Sequence, residues 1–334
     1  MAVTRPELRA PDPQLEADLR RRLEDVEAGL RRAAADSEVP LVSEAGGYLL
    51  SAGGKRFRPM LVLLAGELGD SADPRLIPGA VAIELTHLAT LYHDDVIDEA
   101  ATRRGIASVN ARWDNTVAIL TGDFLFSRAS EISADLGTEV TRLLAATIAR
   151  VCEGQIGEVQ GAGRLDVDEA AYLDVIGRKT ASLISTSCRL GGMLSGAPEP
   201  VVDGLARFGR HLGMAFQLSD DIMDVAAGPE VLGKEPGSDL HEGVYTLPVI
   251  YALRESGRRD ELRALLTTRP LAGDHLSAAL DIVRSDGALD RAKGAVSRQV
   301  RQAVEEAERL PDGRARDALI HLSRFLAVRC GAAW

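Results

Sequence analysis

Two stretches of this chain carry the same acidic figure on an otherwise apolar helical run. One is HDDVID, with Asp94, Asp95 and Asp98; the other is SDDIMD, with Asp220, Asp221 and Asp224. On an ideal helix each residue advances by about 100°, so Glu84, His87, Asp94, Asp95 and Asp98 fall within an arc of roughly 100°. Val81, Leu85, Leu88, Ala89 and Tyr92 take the other sides. In the second run Gln217 shares the acidic face one turn earlier, and Gly213 and Gly209 continue it. Glycine inside a helix costs about 1 kcal/mol relative to alanine, so two at this spacing predict the close approach of another part of the structure. A single acidic triad reads as a solvated helix end. Two matching triads predict six carboxylates around one cavity, which cannot all stay ionised without counter-cations. Hard divalent cations such as Mg²⁺ fit, since they prefer oxygen ligands and are often held by a few carboxylates plus substrate phosphates.

The rest of the chain supplies the helices for such a cavity. Leu15, Leu19, Leu23, Val26 and Leu30 recur at helical spacing and predict an amphipathic helix over 14–35. The same periodicity predicts helices over 59–69, 76–98, 112–135, 137–162, 168–195, 201–226, 244–256, 259–267, 275–286, 288–309 and 313–330. Alternating strand-like runs are lacking, and turn signals such as AGG, GDSADP and SGAPEP separate the helices. The reading is all-α: a single-domain bundle of long antiparallel helices around a central cavity, covering 1–334, with the C-terminal helices over 259–330. Few aromatics and abundant Ala, Leu and Val suit that core.

The net charge of −11 argues against non-specific nucleic-acid binding, which needs basic surface. Cys152, Cys188 and Cys330 are few, odd in number and widely spaced, so they predict a reducing compartment and no zinc framework. The N-terminal run has no apolar signal-peptide core, and no stretch of about 18 apolar residues predicts a membrane span. The expectation is a cytoplasmic protein.

If cations bridge carboxylates to phosphates, basic side chains should complete the phosphate site. SAGGKRFRPML offers Lys55, Arg56 and Arg58 on a glycine-led loop, with Pro59 at a first helical position, an arrangement suited to an anion. Arg103-Arg104-Gly105 follows the first acidic triad. Lys179 and Thr180 sit in the apolar run VIGRKTASLIS, where an interior lysine needs a partner. Lys234 lies in the glycine-rich loop after the second triad.

Taken together, GGKRFRP (53–59), HDDVID (93–98), RRG (103–105), GDFLFSRA (122–129), KTASLI (179–184), GMAFQLSDDIMD (213–224) and LGKEPGSDLHEGVYTLP (232–248) resemble the trans-isoprenyl diphosphate synthase (polyprenyl synthetase) family. The resemblance covers about 53–248 and implies the isoprenoid synthase fold. It further implies that Asp94, Asp95, Asp98, Asp220 and Asp224, with Asp221 in the same cluster, hold three Mg²⁺ ions that bind an allylic diphosphate. Arg103, Lys179 and Lys234 would neutralise that diphosphate, and Lys55, Arg58, His87 and Arg104 would bind isopentenyl diphosphate. Thr180 and Gln217 would line the path of the developing carbocation, and the released diphosphate would take the proton. Loops 228–243 and 53–58 are the candidate lids. Two positions depart from the family pattern: Val244 stands where lysine is frequent, and Ser108 where threonine is.

Product length, in this family, follows from bulk just upstream of the first acidic motif. Here Ala89 and Thr90 are small and Thr86 lies one turn below, which predicts an open tunnel and a medium- or long-chain product for quinone side chains. A geranylgeranyl product is the alternative, with Phe124 or Phe126 as the floor. The resemblance also implies a homodimer, with the long apolar helices near 112–162 as interface, or a catalytic subunit with a small regulatory companion. Two other functions compete: a class I terpene cyclase, which would lack the second DDxxD and the basic loop, and an HD-type phosphohydrolase built on His93-Asp94.

Overall fold

The computed structural model describes residues 11–226, 236–268 and 271–334. Its first half comprises α1 (Pro13–Ala35), α2 (Pro40–Ser51), α3 (Phe57–Gly66) and α4 (Leu76–Ile97), then a two-strand hairpin of β1 (Thr102–Arg103) and β2 (Ile106–Ala107). There follow α5 (Val109–Arg112), α6 (Asn115–Leu136), α7 (Thr138–Gly161), α8 (Glu169–Ile176), a π-helical turn over Gly177–Ala181, α9 (Ser182–Leu194) and α10 (Glu199–Ala226). The C-terminal part holds α11 (Ser238–Glu242), α12 (Leu247–Glu255), α13 (Arg259–Thr267), α14 (Gly273–Arg284), α15 (Ala288–Glu308) and α16 (Arg314–Arg329). The all-α expectation holds, and the predicted helix ends fall within a few residues of those observed.

Side-chain caps set several starts. Asp12 accepts from the Leu15 N–H at 2.9 Å and Asp114 from Val117 at 2.8 Å, so α6 begins at Asn115 instead of 112. α4 is buried on nearly every side, with Leu85, Leu88, Ala89 and Tyr92 fully enclosed, because α1, α3, α6 and α9 all pack on it. The Tyr92 hydroxyl donates to the Ala45 carbonyl at 2.6 Å, which satisfies its one polar atom within that core.

Four local expectations are corrected. Residues 168–195 do not form one helix, since the π turn divides them. α2 was not foreseen, because Gly46 and Gly47 read as punctuation; a methyl on Gly46 would stand 2.7 Å from the Ala34 carbonyl oxygen, so that glycine serves a helix contact. Pro59 is the third residue of α3, not the first. The hairpin at 102–107 is too short for any alternation to reveal. Its two-residue turn places Arg104 at φ 54° and Gly105 at φ 79°, the signature of the tight hairpin turn that matches strand twist.

The glycines on the second acidic helix do mark close approach, and the partner is protein. A methyl on Gly209 would lie 2.8 Å from Ser185 Cα, and one on Gly213 would lie 2.6 Å from Ala181 Cα. From the other side, a methyl on Gly154 of α7 would lie 2.5 Å from the Lys179 nitrogen. The π turn is therefore gripped between α7 and α10 at two glycines. Gly213→Ala forces one of these backbones to move, and it is expected to lower unfolding stability by about 1–3 kcal/mol in a denaturant melt.

Candidate active site

Along α4 the polar stripe descends as the sequence predicts. Buried Glu84 faces the basic loop: Arg56 Nη1 reaches its Oε1 at 3.4 Å, while Arg56 Nε pairs with Glu27 of α1. Arg56 holds φ 46°, a conformation that L residues reach at a cost, and these two carboxylates keep it there. So Arg56 anchors the loop, leaving Lys55 exposed and Arg58 half-buried beside it. Arg104 ties down the same loop from the hairpin, donating to the carbonyls of Gly53 and of Leu49, the latter at 3.3 Å. Half-buried His87 is held well below its usual range by burial and then by Arg58 and Arg104, so it is a neutral hydrogen-bonding group amid fixed cations.

At the end of α4, Asp95 is fully buried; its Oδ1 accepts from Arg103 Nε at 2.6 Å and its Oδ2 has no partner. The hairpin turn makes this possible, placing Arg103 on the acidic motif and Arg104 on the glycine loop. Burial and then repulsion from Asp98 push Asp94 up to about 6, against the pull of Lys179. Asp98 is raised as well, again chiefly by burial. For Lys179 burial opposes the ammonium, but Glu158, Asp94 and Asp98 outweigh it, so its pKa is raised. Lys179 pairs directly with Glu158 of α7.

The second acidic motif is more engaged with protein. Asp221 is buried and both of its oxygens accept hydrogen bonds, one from the Tyr172 hydroxyl and one from Gln217 Nε2 at 2.8 Å. Thr180 in turn donates to Gln217 Oε1 at 2.8 Å. Each Asp221 oxygen thus accepts one protein hydrogen bond, and through one of them it fixes Gln217. Asp224 accepts from Ser238 Oγ at 2.9 Å and from the Asp239 N–H at 3.3 Å, closing α10 against α11. Asp220 forms an ion pair with Arg329 of α16 at 2.6 Å.

Glu158 connects the two banks, since its charge acts on Asp94 and Asp98 of the first motif and on Asp221 of the second. On the other flank Arg58 senses both Glu84 and Asp220. Among the described residues no three carboxylate, histidine or cysteine side chains are close enough to hold a metal by themselves. The donor set nonetheless suits Mg²⁺, whose coordination is commonly completed by water and substrate phosphate: hard carboxylate oxygens in two acidic motifs, one of them buried and unpartnered, with Asp94 raised despite the pull of Lys179 and Arg103. Such a cation binds the ionised carboxylate, so Mg²⁺ is expected to raise the melting temperature clearly at pH 8 and little at pH 5, where Asp94 is mostly protonated.

Lys234 and the first half of the 228–243 lid candidate lie outside the described residues. Val244 donates its N–H to Asp239 O at 2.8 Å and closes the turn after α11. Buried Ser108 bonds the Ala100 carbonyl, so it braces the hairpin. The tunnel expectation needs correcting at two positions: Ala89 and Thr86 have no accessible surface and border no space that water could enter. Thr90 keeps accessible surface. Phe124 and Phe126 are half-buried, and the Phe126 ring lies 5.6 Å from that of His93. Sequence reading missed Glu27, Glu158, Tyr172 and Arg329. Tyr172 sits at a core-like position of an apolar run, and nothing in the local sequence of Arg329 separates it from a surface arginine.

The family model for polyprenyl synthetase matches residues 39–283. A nonaprenyl diphosphate synthase of Mycobacterium tuberculosis is 45% identical over 287 residues, 85% of this chain and 85% of that one. The heptaprenyl diphosphate synthase component 2 of Geobacillus stearothermophilus is 41% identical over 305 residues, 91% of this chain and 94% of that one. The crystal structure of a geranylgeranyl pyrophosphate synthase from Corynebacterium glutamicum, complexed with calcium and isoprenyl diphosphate, is 41% identical with a TM-score of 0.84 and covers 95% of this chain and 98% of that one. A likeness that runs through both acidic motifs and nearly the whole chain decides the matter: the chain belongs to the polyprenyl synthetase family and is a prenyltransferase.

Proposed function

We propose that this site joins isopentenyl diphosphate to an allylic diphosphate, farnesyl or geranylgeranyl, and repeats the condensation to a medium or long all-trans chain. The observation that carries this reading is the pairing of two cationic sites with one acidic cluster: Lys179 and Arg103 beside Asp94, Asp95 and Asp98, and Lys55 and Arg58 beside Asp220. A hydrolase or cyclase needs one diphosphate site, whereas a condensation needs two.

Three Mg²⁺ ions, held by Asp94, Asp95 and Asp98 with Asp220 and Asp224, would supply the charge neutralisation on which departure of the allylic diphosphate depends. Arg103, Lys179 and Lys234 hold that diphosphate as its negative charge grows. Lys55, Arg58 and Arg104 bind the second diphosphate by charge, and neutral His87 adds a hydrogen bond. The Thr180 hydroxyl points its proton at Gln217, which leaves its oxygen lone pairs available to the carbocation. The isopentenyl double bond attacks that cation, and the proton released in forming the new double bond goes to the departed diphosphate.

The HD-type alternative loses its footing at His93, whose Nε2 lies 3.2 Å from the Ile119 carbonyl and 3.3 Å from Asp123 and so is engaged on α6. Chain length rests on the relatives named for nonaprenyl and heptaprenyl products and on Thr90, with geranylgeranyl as the second reading because one similar solved structure bears that name. Exposed Ile119 and Leu120 on α6 support a homodimer through that face, in one continuous unit spanning 1–334. Among the described residues no helix is long and apolar enough to cross a membrane.

Purified protein incubated with Mg²⁺, labelled isopentenyl diphosphate and farnesyl diphosphate is expected to give extractable products longer than geranylgeranyl. A ladder that stops at geranylgeranyl would replace the chain-length assignment. No incorporation with any allylic partner, alone or with a companion subunit, would sink the condensation reading.

A further inference from the structure

Arg329 closes the last turn of α16, far in sequence from every motif that marks the site, yet its Nη2 lies 2.6 Å from Asp220 Oδ1. The helix end itself favours a cation there, because unpaired carbonyls give it partial negative charge. α16 packs against α10, which holds the guanidinium over the acidic face. Lys55 is lowered first by burial and then by Arg329, and is raised by Asp220; Arg58 also feels Asp220. Three cations therefore share the field of one carboxylate. A multiply charged phosphate is suited to neutralise such a cluster, even with Glu84 beside Arg58, and Arg329 would add to Arg58 a second planar fork that fits phosphate oxygens.

Asp220 cannot serve Arg329 and a divalent cation equally well. A metal at the usual 2.0–2.1 Å from the same oxygen would stand a few ångströms from the guanidinium, and the two would repel. We propose that Arg329 is a counter-ion switch: it occupies Asp220 in the substrate-free site and transfers to the diphosphate beside Lys55 and Arg58 when a divalent cation takes Asp220. The inference deepens the proposed condensation and rests on it for the identity of the phosphate. It makes loading of the acidic cluster and capture of isopentenyl diphosphate interdependent through one residue.

The test uses the full chain and two readouts, Mn²⁺ binding to the substrate-free protein by calorimetry and the separate KM values of the two substrates. Arg329→Gln is expected to bind Mn²⁺ about tenfold more tightly, because its competitor is gone, and to raise KM for isopentenyl diphosphate about tenfold with the allylic KM within about twofold. Arg329→Lys keeps a cation on Asp220. It should hold Mn²⁺ affinity near the wild-type value yet raise KM for isopentenyl diphosphate, and it carries the test if the glutamine variant melts early. Unchanged or weaker Mn²⁺ binding by Arg329→Gln, or equal rises in both KM values, would overturn the switch. Should the wild-type protein form no prenyl product at all, the condensation reading fails; tighter Mn²⁺ binding by Arg329→Gln would then still support the Asp220 half of the switch, and unchanged binding would overturn it.

Discussion

Asp94→Asn is expected to slow product formation about 10²–10³-fold while raising the melting temperature of the metal-free protein at pH 8. The two effects have one cause. Asp94 stands among carboxylates in a half-buried site, and burial followed by Asp98 pushes it up to about 6 from its ordinary 3.8. A folded-state pKa above the unfolded value means that the native protein binds the proton more tightly. Ionising Asp94 therefore costs folding free energy as pH rises from about 4 through 6, and the full cost is present above that. Asparagine keeps the shape without the charge, so the gain should appear at pH 8 and fade by pH 5. The same missing charge would remove a proposed cation ligand and with it the stabilisation of the leaving diphosphate. Lys179 keeps its partner Glu158 in the variant, which argues against a wider collapse. A lower melting temperature at pH 8, or activity within tenfold of wild type, would refute this account of the acidic cluster.

The sequence discloses faces more readily than meetings. Helical periodicity places Glu84, His87 and the first triad on one stripe of α4, and the stripe is there, because the period depends only on the backbone. Which element meets that stripe depends on contacts remote in sequence. Arg103 and Arg104 are visible as a basic pair, but their division of labour between Asp95 and Gly53 follows from a two-residue turn with positive φ at both centres. Tyr172 and Arg329 reach the second triad from α8 and α16, and a local pattern holds no trace of such long-range partners. Ala89 teaches the opposite lesson. A small residue is compatible with an open tunnel or with tight packing, and the complete burial of Ala89 selects packing, so the long-chain assignment stands on the relatives and not on that residue.

Lys179→Met is the second decisive substitution, with kcat/KM expected to fall about 10²–10³-fold and the KM for isopentenyl diphosphate to stay nearly constant. Periodicity alone treats Lys179 as an interior lysine of a continuous helix. The π turn changes that, since an extra residue per turn rotates the register locally, and such turns recur at functional sites. Gly154 and Gly213 permit it by letting the backbones of α7 and α10 close to within about a van der Waals contact of the turn. The result sets Lys179 on Glu158, within the field of Asp94 and Asp98, and the next residue, Thr180, on Gln217. The ammonium and the hydroxyl proposed to face the carbocation are thus adjacent in sequence but served by different partners. In the proposed reaction an entering allylic diphosphate would share the ammonium with Glu158 or take it over, an exchange between anions that leaves the lysine charged throughout. Methionine preserves the buried stem and removes only the charge, so the fold should survive while the leaving group loses a counter-ion. Glu158→Gln should cost far less, because Lys179 retains Asp94 and Asp98 to orient it. If the glutamine variant proves as slow as the methionine variant, the role assigned to Lys179 belongs instead to the ion pair as a structural unit.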